Sequence, residues 1–241
     1  MSSEIVNNES LPADDEDLEL SESSLAALNE FLAERKEREE KLRQIAEAAE
    51  TSQQQNLLDE VDLDEDWQLS QFWYDDLTSQ VLADEVLRLV GETGSVACLS
   101  CPTLYKHLRK VKHSGVTVRL LEFDTRFSMY GTDFVFYDYR SPLEFPSKEA
   151  MSSSFDVVVA DPPFLSEECL TKTALTMRYL SKGPLILCTG AVMEQLADRL
   201  LHLKMCSFRP SHRNNLANDF RCYANYDFDA HVVQQSAPVT I

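Results

Sequence analysis

The residues best suited to chemistry form the motif Asp161-Pro162-Pro163-Phe164, directly after the largely apolar run 155–160. Such a run is typical of a buried parallel strand, and the carboxyl ends of these strands form the ligand-binding edge of open α/β sheets. Asp161 can accept hydrogen bonds from an amine, Phe164 offers a flat apolar face, and the prolines lack N–H groups, so nearby carbonyls stay free to accept. The pattern predicts an amine-binding site, with simple strand termination by turn-forming residues as the alternative.

Carboxylates also follow the two preceding predicted strands. Glu122 and Asp124 come at the end of one strand and Asp138 at the end of the next. Because parallel strands end at the same edge of a sheet, we expect these acids to line one crevice with Asp161. An acid after the second strand suits ribose hydroxyls and one after the third suits an adenine amino group, which predicts a nucleoside-bearing cofactor. Solvated loop residues are the alternative, and we favour Asp124 over Glu122 for ribose because it lies nearer the loop.

The loop after the first predicted strand restricts the choice of cofactor. Its residues Ser100, Cys101 and Pro102 and their neighbours include no glycine, whereas a pyrophosphate-binding turn needs glycines for close backbone approach. The sequence also has no Gly-x-x-x-x-Gly-Lys-Ser/Thr loop, the usual signal for nucleoside triphosphate binding. A cofactor with adenosine but no phosphate fits better, and S-adenosylmethionine is the obvious candidate.

The elements that must position these residues alternate between strands and helices. Strands are predicted near 96–99, 116–123, 134–137, 155–160 and 184–188, helices over 77–90, 102–110, 166–180 and 190–201, and a terminal hairpin from 203–208 and 221–226. This order predicts an α/β fold, a Rossmann-like, doubly wound, mostly parallel seven-stranded sheet with a C-terminal antiparallel hairpin. The basic and polar segment 209–215 is expected in the hairpin loop, where it either contacts an acidic protein substrate or is solvated, and His212 is expected to be exposed with no visible partner.

The first 66 residues differ in composition from the rest of the chain. Residues 1–66 contain 21 Asp and Glu against 5 Lys and Arg, whereas 67–241 contain 20 against 17. We predict an acidic, partly disordered extension over 1–66, with one amphipathic helix at about 22–50 and a linker over 51–66, followed by a single domain over 67–241. The near-neutral domain gives no broad attraction for a nucleic-acid backbone.

The sequence contains neither a secretory signal nor an apolar stretch of about 18 residues, so we predict no export and no membrane span. Its six cysteines are expected to be reduced thiols. Cys98 and Cys101 lack a second Cys or His pair nearby, and no metal site is predicted.

Five segments in order resemble one family of class I S-adenosylmethionine-dependent methyltransferases, the eukaryotic elongation factor 1-alpha lysine methyltransferase 1 family, formerly called N6-adenine methyltransferase-like. The segments are Ser70–Tyr74, Ala97–Tyr105, Leu121–Asp124, Asp161–Phe164 and Asn215–Tyr223. The resemblance covers about 67–228 and implies methyl transfer from S-adenosylmethionine to a lysine ε-amine of translation elongation factor 1-alpha in the cytoplasm. The glycine-free first loop departs from the general class I pattern.

The resemblance also implies roles for individual residues. Asp161, Pro162, Pro163 and Phe164 would contact the target amine. Phe72, Trp73 and Tyr74 would close over the cofactor, Glu122 or Asp124 would bind ribose, Asp138 would bind the adenine end, and Ser100, Cys101 and Pro102 complete the cofactor-binding set. Asp161 alone would not create the neutral amine that methyl transfer needs, because a carboxylate favours the ammonium form.

Two alternatives use the same residues. An adenine-N6 nucleic-acid methyltransferase would place a flipped base against the motif's ring, and a catalytically silent Rossmann-like adaptor would bind a partner through its N-terminal helix. The acidic N-terminal segment argues against nucleic acid. We expect a monomer with a protein substrate and no membrane partner.

Overall fold

The computed structural model describes residues 71–214 and 218–232, together with Leu63, Glu65, Asp66, Leu69 and nine positions between 23 and 40. The chain divides into two compact units, Met1–Lys41 and Leu42–Ile241. In the first unit the nine described positions are helical and exposed, within the helix predicted at about 22–50. The rest of that helix, the predicted disorder of 1–20 and most of the linker predicted over 51–66 lie outside the described residues.

The described part of the second unit contains seven strands and five α-helices. The strands are β1 Ser95–Leu99, β2 Thr117–Glu122, β3 Phe134–Phe136, β4 Val157–Ala160, β5 Leu185–Gly190, β6 Lys204–Met205 and β7 Phe220–Ala224. The helices are α1 Asp76–Val90, α2 Pro102–Val111, α3 Lys148–Met151, α4 Glu167–Leu180 and α5 Glu194–Leu201, with 3₁₀ segments at Thr125–Asp133 and Ala191–Met193. Within the described residues, none of the helices has the length and apolar character needed to cross a membrane.

The strands form one sheet in the order β3-β2-β1-β4-β5-β7-β6. Neighbouring strands are parallel except where β7 takes part, because β7 runs antiparallel to both β5 and β6. Chain order reverses between β1 and β4, which is where open α/β sheets form their ligand crevice. The predicted Rossmann-like, doubly wound sheet with a C-terminal antiparallel hairpin is confirmed.

Side chains of the two central strands alternate between two apolar clusters, one on each face of the sheet. Val96, Cys98, Val157 and Val159 belong to one cluster, and Ala97, Leu99, Val158 and Ala160 belong to the other. All eight are fully buried. This arrangement explains the continuous apolar runs, since a parallel strand covered on both faces needs an apolar side chain at every position.

Within the described residues, the connections on both sides of β3 contain no long helix. β2 and β3 are joined by the 3₁₀ segment Thr125–Asp133, which Gly131 interrupts with a φ of 58°. β3 and β4 are joined by largely irregular chain with only the four-residue α3. Pro142 and Pro146 lie in this second connection, and proline opposes a continuous helix because it lacks the N–H donor.

Capping side chains fix the ends of the helices that flank the ligand edge. α1 begins where Asp75 Oδ1 accepts a hydrogen bond from the Thr78 N–H at 2.7 Å and ends at Gly91, whose φ is 64°. α4 begins where Ser166 Oγ accepts from the Cys169 N–H at 3.2 Å. These are ordinary helix start and stop signals, and they place both helices close to their predicted positions.

The globular body begins earlier than the boundary predicted between residues 66 and 67. Leu63 is only 4% exposed within the core, and its carbonyl accepts a hydrogen bond from Trp73 Nε1 at 2.8 Å. Glu65 Oε1 accepts from the Trp73 N–H at 2.7 Å. The acidic composition of 51–66 predicted a linker, but the Glu65 carboxylate serves as a hydrogen-bond acceptor within the globular body.

Candidate active site

A cavity of about 580 Å³ opens at the carboxyl ends of β1, β2, β3 and β4, and we call it the central cavity. It is lined by every predicted site residue except Asp124: Phe72, Trp73, Tyr74, Ser100, Cys101, Pro102, Glu122, Asp138, Asp161, Pro162, Pro163 and Phe164. Further lining residues are Leu69, Gln71, Thr103, Phe123, Tyr137, Tyr139, Arg140, Leu165, His212, Asn218 and Phe220. The sheet therefore brings together residues from four separate loops, as the strand-end pattern predicted.

The Asp161 backbone is fixed by the two central strands. Asp161 follows the fully buried β4, and its N–H donates to the Leu99 carbonyl at the end of β1 at 3.0 Å. After it the chain turns outward, with Pro162 buried and the Phe164 side chain 41% exposed. Phe164 packs edge-to-face against Tyr139 at 5.8 Å between ring centroids, and its ring lines the same cavity as Asp161.

Desolvation is the main influence on the Asp161 carboxyl. The residue is half-buried, but protein surrounds the carboxyl on most sides, and this burial raises its pKa to about 8. The neighbouring Glu122 carboxyl also raises the pKa, whereas the nearby Tyr74 hydroxyl lowers it. At neutral pH the carboxyl is therefore partly protonated and can both donate and accept.

The Tyr74 hydroxyl is the polar group placed next to Asp161. Tyr74 is 1% exposed, and among the described residues its hydroxyl completes no hydrogen bond of good geometry. It nevertheless lies near enough to the Asp161 carboxyl to stabilise the ionised form. A buried hydroxyl without a hydrogen-bond partner lowers the stability of the folded protein. This cost points to a function for the Tyr74 hydroxyl in the central cavity.

Glu122 and Asp124 have different surroundings, although the sequence left the choice between them open. Glu122 Oε1 accepts from the Phe123 and Asp124 N–H groups at 3.0 and 3.1 Å, and no described residue donates to Oε2. Asp124 Oδ2 is held by Arg126 at 2.7 Å and by Gln71 Nε2 at 2.9 Å. Asp124 is therefore committed to Arg126 and Gln71, while Glu122 keeps one oxygen for a ligand.

Burial also changes the ionisation of Glu122. The side chain is 6% exposed, and desolvation raises its pKa to about 7 against the lowering effect of the two backbone donors. Asp138 shows the opposite behaviour, because Arg140 binds it at 2.7 Å and keeps its pKa below the ordinary range. Asp161 and Glu122 thus have raised pKa values, whereas the pKa of Asp138 is lowered.

The first loop makes its tight turn without glycine. Ser100 adopts a φ of 55°, a left-handed conformation that costs a non-glycine residue about 1 kcal/mol. Its N–H donates to the Leu121 carbonyl at 2.9 Å, and Pro102 begins α2. Ser100 thus takes the conformation usually given to glycine, and the loop keeps a buried Cys101 side chain beside the cavity.

The expectation of an exposed His212 is wrong. His212 is only 8% exposed and lines the central cavity, where its ring packs against Phe220 at 4.8 Å and Tyr74 at 5.3 Å. The loop folds back because the Arg213 N–H donates to the Trp73 carbonyl at 2.9 Å. Burial lowers the pKa of His212, and no periodic pattern in the sequence marks this long-range pairing.

Residues 65–228 match a family model described as "Probable N6-adenine methyltransferase". The chain is 50% identical over 214 residues to the protein named "EEF1A lysine methyltransferase 1" of Gallus gallus, covering 88% of this chain and 96% of that one. It is 36% identical over 229 residues to "Protein-lysine N-methyltransferase EFM5" of Saccharomyces cerevisiae, covering 86% and 92%.

Solved structures support the same architecture. The branched-chain polyamine synthase C9 mutein from Thermus thermophilus matches with a TM-score of 0.51 at 13% identity, over 67% of this chain and 59% of that one. At this identity the likeness concerns the fold alone. On the family model and the sequence identities together, the chain belongs to the family that the model describes as "Probable N6-adenine methyltransferase", which it shares with the EEF1A lysine methyltransferase 1 proteins.

Proposed function

We propose that this chain transfers a methyl group from S-adenosylmethionine to a lysine ε-amine of translation elongation factor 1-alpha. The observation that carries the proposal is the Asp161 carboxyl in the central cavity, with a pKa of about 8 and the Phe164 ring beside it. The names of the most similar relatives agree with this assignment. Each residue role below is part of the proposal.

The central cavity suits S-adenosylmethionine in size and in hydrogen-bonding groups. Its volume of about 580 Å³ lies within the range of small-molecule sites, and Glu122, Asp138 and Asp161 supply carboxyl oxygens for hydroxyl and amino groups. Glu122 Oε2 is available for ribose hydroxyls, and Asp138 would border the adenine end. When bound, the cofactor supplies an electrophilic methyl group on a positively charged sulfur.

Asp161 is suited to orient the lysine amine and to accept its proton. A lysine ammonium has a pKa near 10.4, so only about 0.1% is neutral at pH 7.4. Proton transfer to an ordinary aspartate would cost roughly 9 kcal/mol. With the Asp161 pKa raised to about 8, the same transfer costs about 3 kcal/mol. A carboxyl with this pKa is mostly protonated at pH 7, so Asp161 must first release its own proton to water, at about 1.4 kcal/mol, before it can accept the lysine proton and pass it on.

The aromatic residues would exclude water and accept the product. Phe72, Trp73 and Tyr74 cover one side of the cavity, and Phe164 lies on another. Ring faces can stabilise a methylated ammonium through cation–π contacts. Desolvation by the same rings favours the neutral amine over the ammonium, so these side chains support both the reacting and the product state.

Asp161→Asn is the direct test, with purified translation elongation factor 1-alpha as substrate and mass spectrometry to locate the methyl group. We expect turnover to fall by about 100-fold or more, the usual contribution of a general base, while the Kd for S-adenosylhomocysteine changes by less than about threefold. Asp198→Asn, at an exposed position paired with Lys204, is the matched control and should behave as wild type. Near wild-type turnover of Asp161→Asn would contradict the assigned role.

Digestion of labelled products separates the enzyme from its alternatives. Labelled S-adenosylmethionine is incubated with the protein and cell lysate, and the products are then treated separately with nuclease and protease. A protease-sensitive label is expected. A nuclease-sensitive label would support an adenine-N6 methyltransferase, and failure to bind the cofactor in calorimetry would support the silent adaptor.

The cellular setting follows from the proposed substrate. Because a translation factor is the proposed substrate, we propose that the protein acts in the cytoplasm. We also propose that it is a monomer without a nucleic-acid partner. Size-exclusion chromatography with light scattering tests the oligomeric state.

A further inference from the structure

A second cavity of about 390 Å³ lies beside the central cavity, and we call it the basic cavity. Trp73, Pro102 and Thr103 line both cavities. The two cavities therefore adjoin at these three residues. Of the other residues that line the basic cavity, Arg213 lies in the segment for which contact with an acidic protein substrate was predicted.

The charged residues of the basic cavity are mainly cationic. Lys106 and Lys110 lie one helical turn apart on α2, and Arg213 comes from the loop before β7. One acid also lines the cavity, Asp76, and it is 3.4 Å from the Arg213 guanidinium. Burial lowers the pKa of His107, which leaves this side chain largely neutral at pH 7. The cavity therefore carries a net positive charge in a chain whose formal net charge is −19.

The floor of the basic cavity is apolar. Leu63 and Phe127 are 4% and 1% exposed, and Trp73 packs edge-to-face on Phe127 at 6.3 Å between centroids. Cationic side chains around an apolar floor suit a peptide that presents a carboxylate next to an apolar side chain. An extended nucleic-acid backbone is a poorer match, because it offers no apolar group for the floor.

We propose that the basic cavity binds an acidic segment of the protein substrate while the target lysine occupies the central cavity. This inference rests on the proposed function and extends it, because it names the feature of the substrate that is recognised beyond the lysine. The binding free energy of the segment would position the lysine and lower the KM for the folded substrate.

The test is the double variant Lys106→Glu/Lys110→Glu, assayed on folded elongation factor and on a short peptide that contains only the lysine and apolar or neutral neighbours. We expect the KM for the folded protein to rise by about tenfold or more, with kcat at saturation and the Kd for S-adenosylhomocysteine within twofold of wild type. Activity on the peptide should match wild type. The control Lys182→Glu/Lys204→Glu makes the same change in net charge outside both cavities and should leave the KM unchanged.

The outcomes separate the inference from the proposed function. If wild type methylates no lysine of the elongation factor, the proposed function fails. If wild type is active and the double variant has an unchanged KM, the inference fails. If the variant instead loses binding to a fluorescent oligonucleotide that wild type binds, the cavity recognises nucleic acid and the inference is also overturned. Lys106→Gln/Lys110→Gln gives the same test with a smaller change in charge if the reversed variant is unstable.

Discussion

The two cavities lie side by side but differ in the exposure of their charged side chains. In the central cavity the acids are enclosed by protein, and burial raises the pKa of Asp161 to about 8 and of Glu122 to about 7. In the basic cavity Lys110 is exposed, and the Arg213 side chain is 48% exposed. Burial therefore gives a carboxyl group a pKa suited to proton transfer, whereas exposed charged side chains are suited to attracting a binding partner.

The largest expected effect separates Glu122 from Asp124. Glu122→Ala should raise the Kd for S-adenosylhomocysteine by about 10- to 100-fold, because hydrogen bonds to a charged group contribute about 1.5–3 kcal/mol. Asp124→Ala should instead lower the free energy of unfolding by about 3 kcal/mol, since it removes the buried carboxylate that accepts hydrogen bonds from Arg126 and Gln71. Calorimetry and urea unfolding on both variants measure the two effects. A large loss of cofactor affinity in Asp124→Ala, with unchanged stability, would reverse the assignment.

The next prediction concerns the pH dependence of stability without cofactor. The folded pKa of Asp161 is about 8 and the unfolded value is near 3.9, so the folded state holds more protons between these values. The contribution of Asp161 to the free energy of unfolding is therefore fully present below about pH 4. It falls by about 1.4 kcal/mol per pH unit as pH rises towards 8. Asp161→Asn should remove that contribution, which urea unfolding at several pH values can measure.

The basic cavity supplies the control for this prediction. Lys106→Gln/Lys110→Gln should leave the pH slope of wild type unchanged between pH 5 and 7, because both residues line the basic cavity and neither lines the central cavity that holds Asp161. Equal slopes for wild type and Asp161→Asn would mean that the Asp161 carboxyl is not protonated in the folded protein. The contrast between buried and exposed charge would then be wrong.

A smaller effect is expected from Tyr74→Phe. The Tyr74 hydroxyl lowers the pKa of Asp161, so its removal should raise that pKa and move the acid limb of the kcat/KM profile to higher pH. At pH 7 we expect kcat/KM to fall by about three- to tenfold, because a higher pKa lowers the ionised fraction of Asp161, with little change in stability. Tyr226→Phe removes a buried hydroxyl outside both cavities and should leave the profile unchanged. An unshifted profile in Tyr74→Phe would exclude the link to Asp161.

The smallest effect is that of salt. Raising the ionic strength from about 0.05 to 0.3 M shortens the screening length around exposed charges, so the KM for the folded substrate should rise by about threefold. The Kd for S-adenosylhomocysteine should change less, because the carboxyl groups that face it are enclosed. Steady-state kinetics and calorimetry at the two salt concentrations measure the difference, and equal salt dependence would remove the distinction between the cavities.

Strand-end residues were predictable because their positions follow from local patterns. The apolar run before Asp161 and the acids after two preceding strands need only the rule that parallel strands end at one edge. The choice between Glu122 and Asp124 was not predictable, since it depends on Arg126 and Gln71 occupying Asp124. The order of the residues along the chain indicated only that Asp124 lies nearer the loop than Glu122. It does not show which other side chains bind Asp124.

Long-range contacts account for the rest of what the sequence did not predict. His212 was expected in an exposed loop, but backbone pairing with Tyr74 buries it. Leu63 lies in a segment whose acidic residues suggested a linker, yet its side chain joins the core. The basic cavity combines residues of α2 with Arg213, which are distant in the chain. Such contacts have no local period, so no pattern along the sequence marks them.

The pairing of Tyr74 with His212 has a consequence for how the protein is made. The chain emerges from the ribosome N-terminus first, so β1 to β5 are available before the loop that carries His212. The cavity lining also needs Asn218 and Phe220, and this loop is held in place by the pairing of β7 with β5. A nascent chain that stops before β7 therefore has most of its sheet but an incomplete cavity lining.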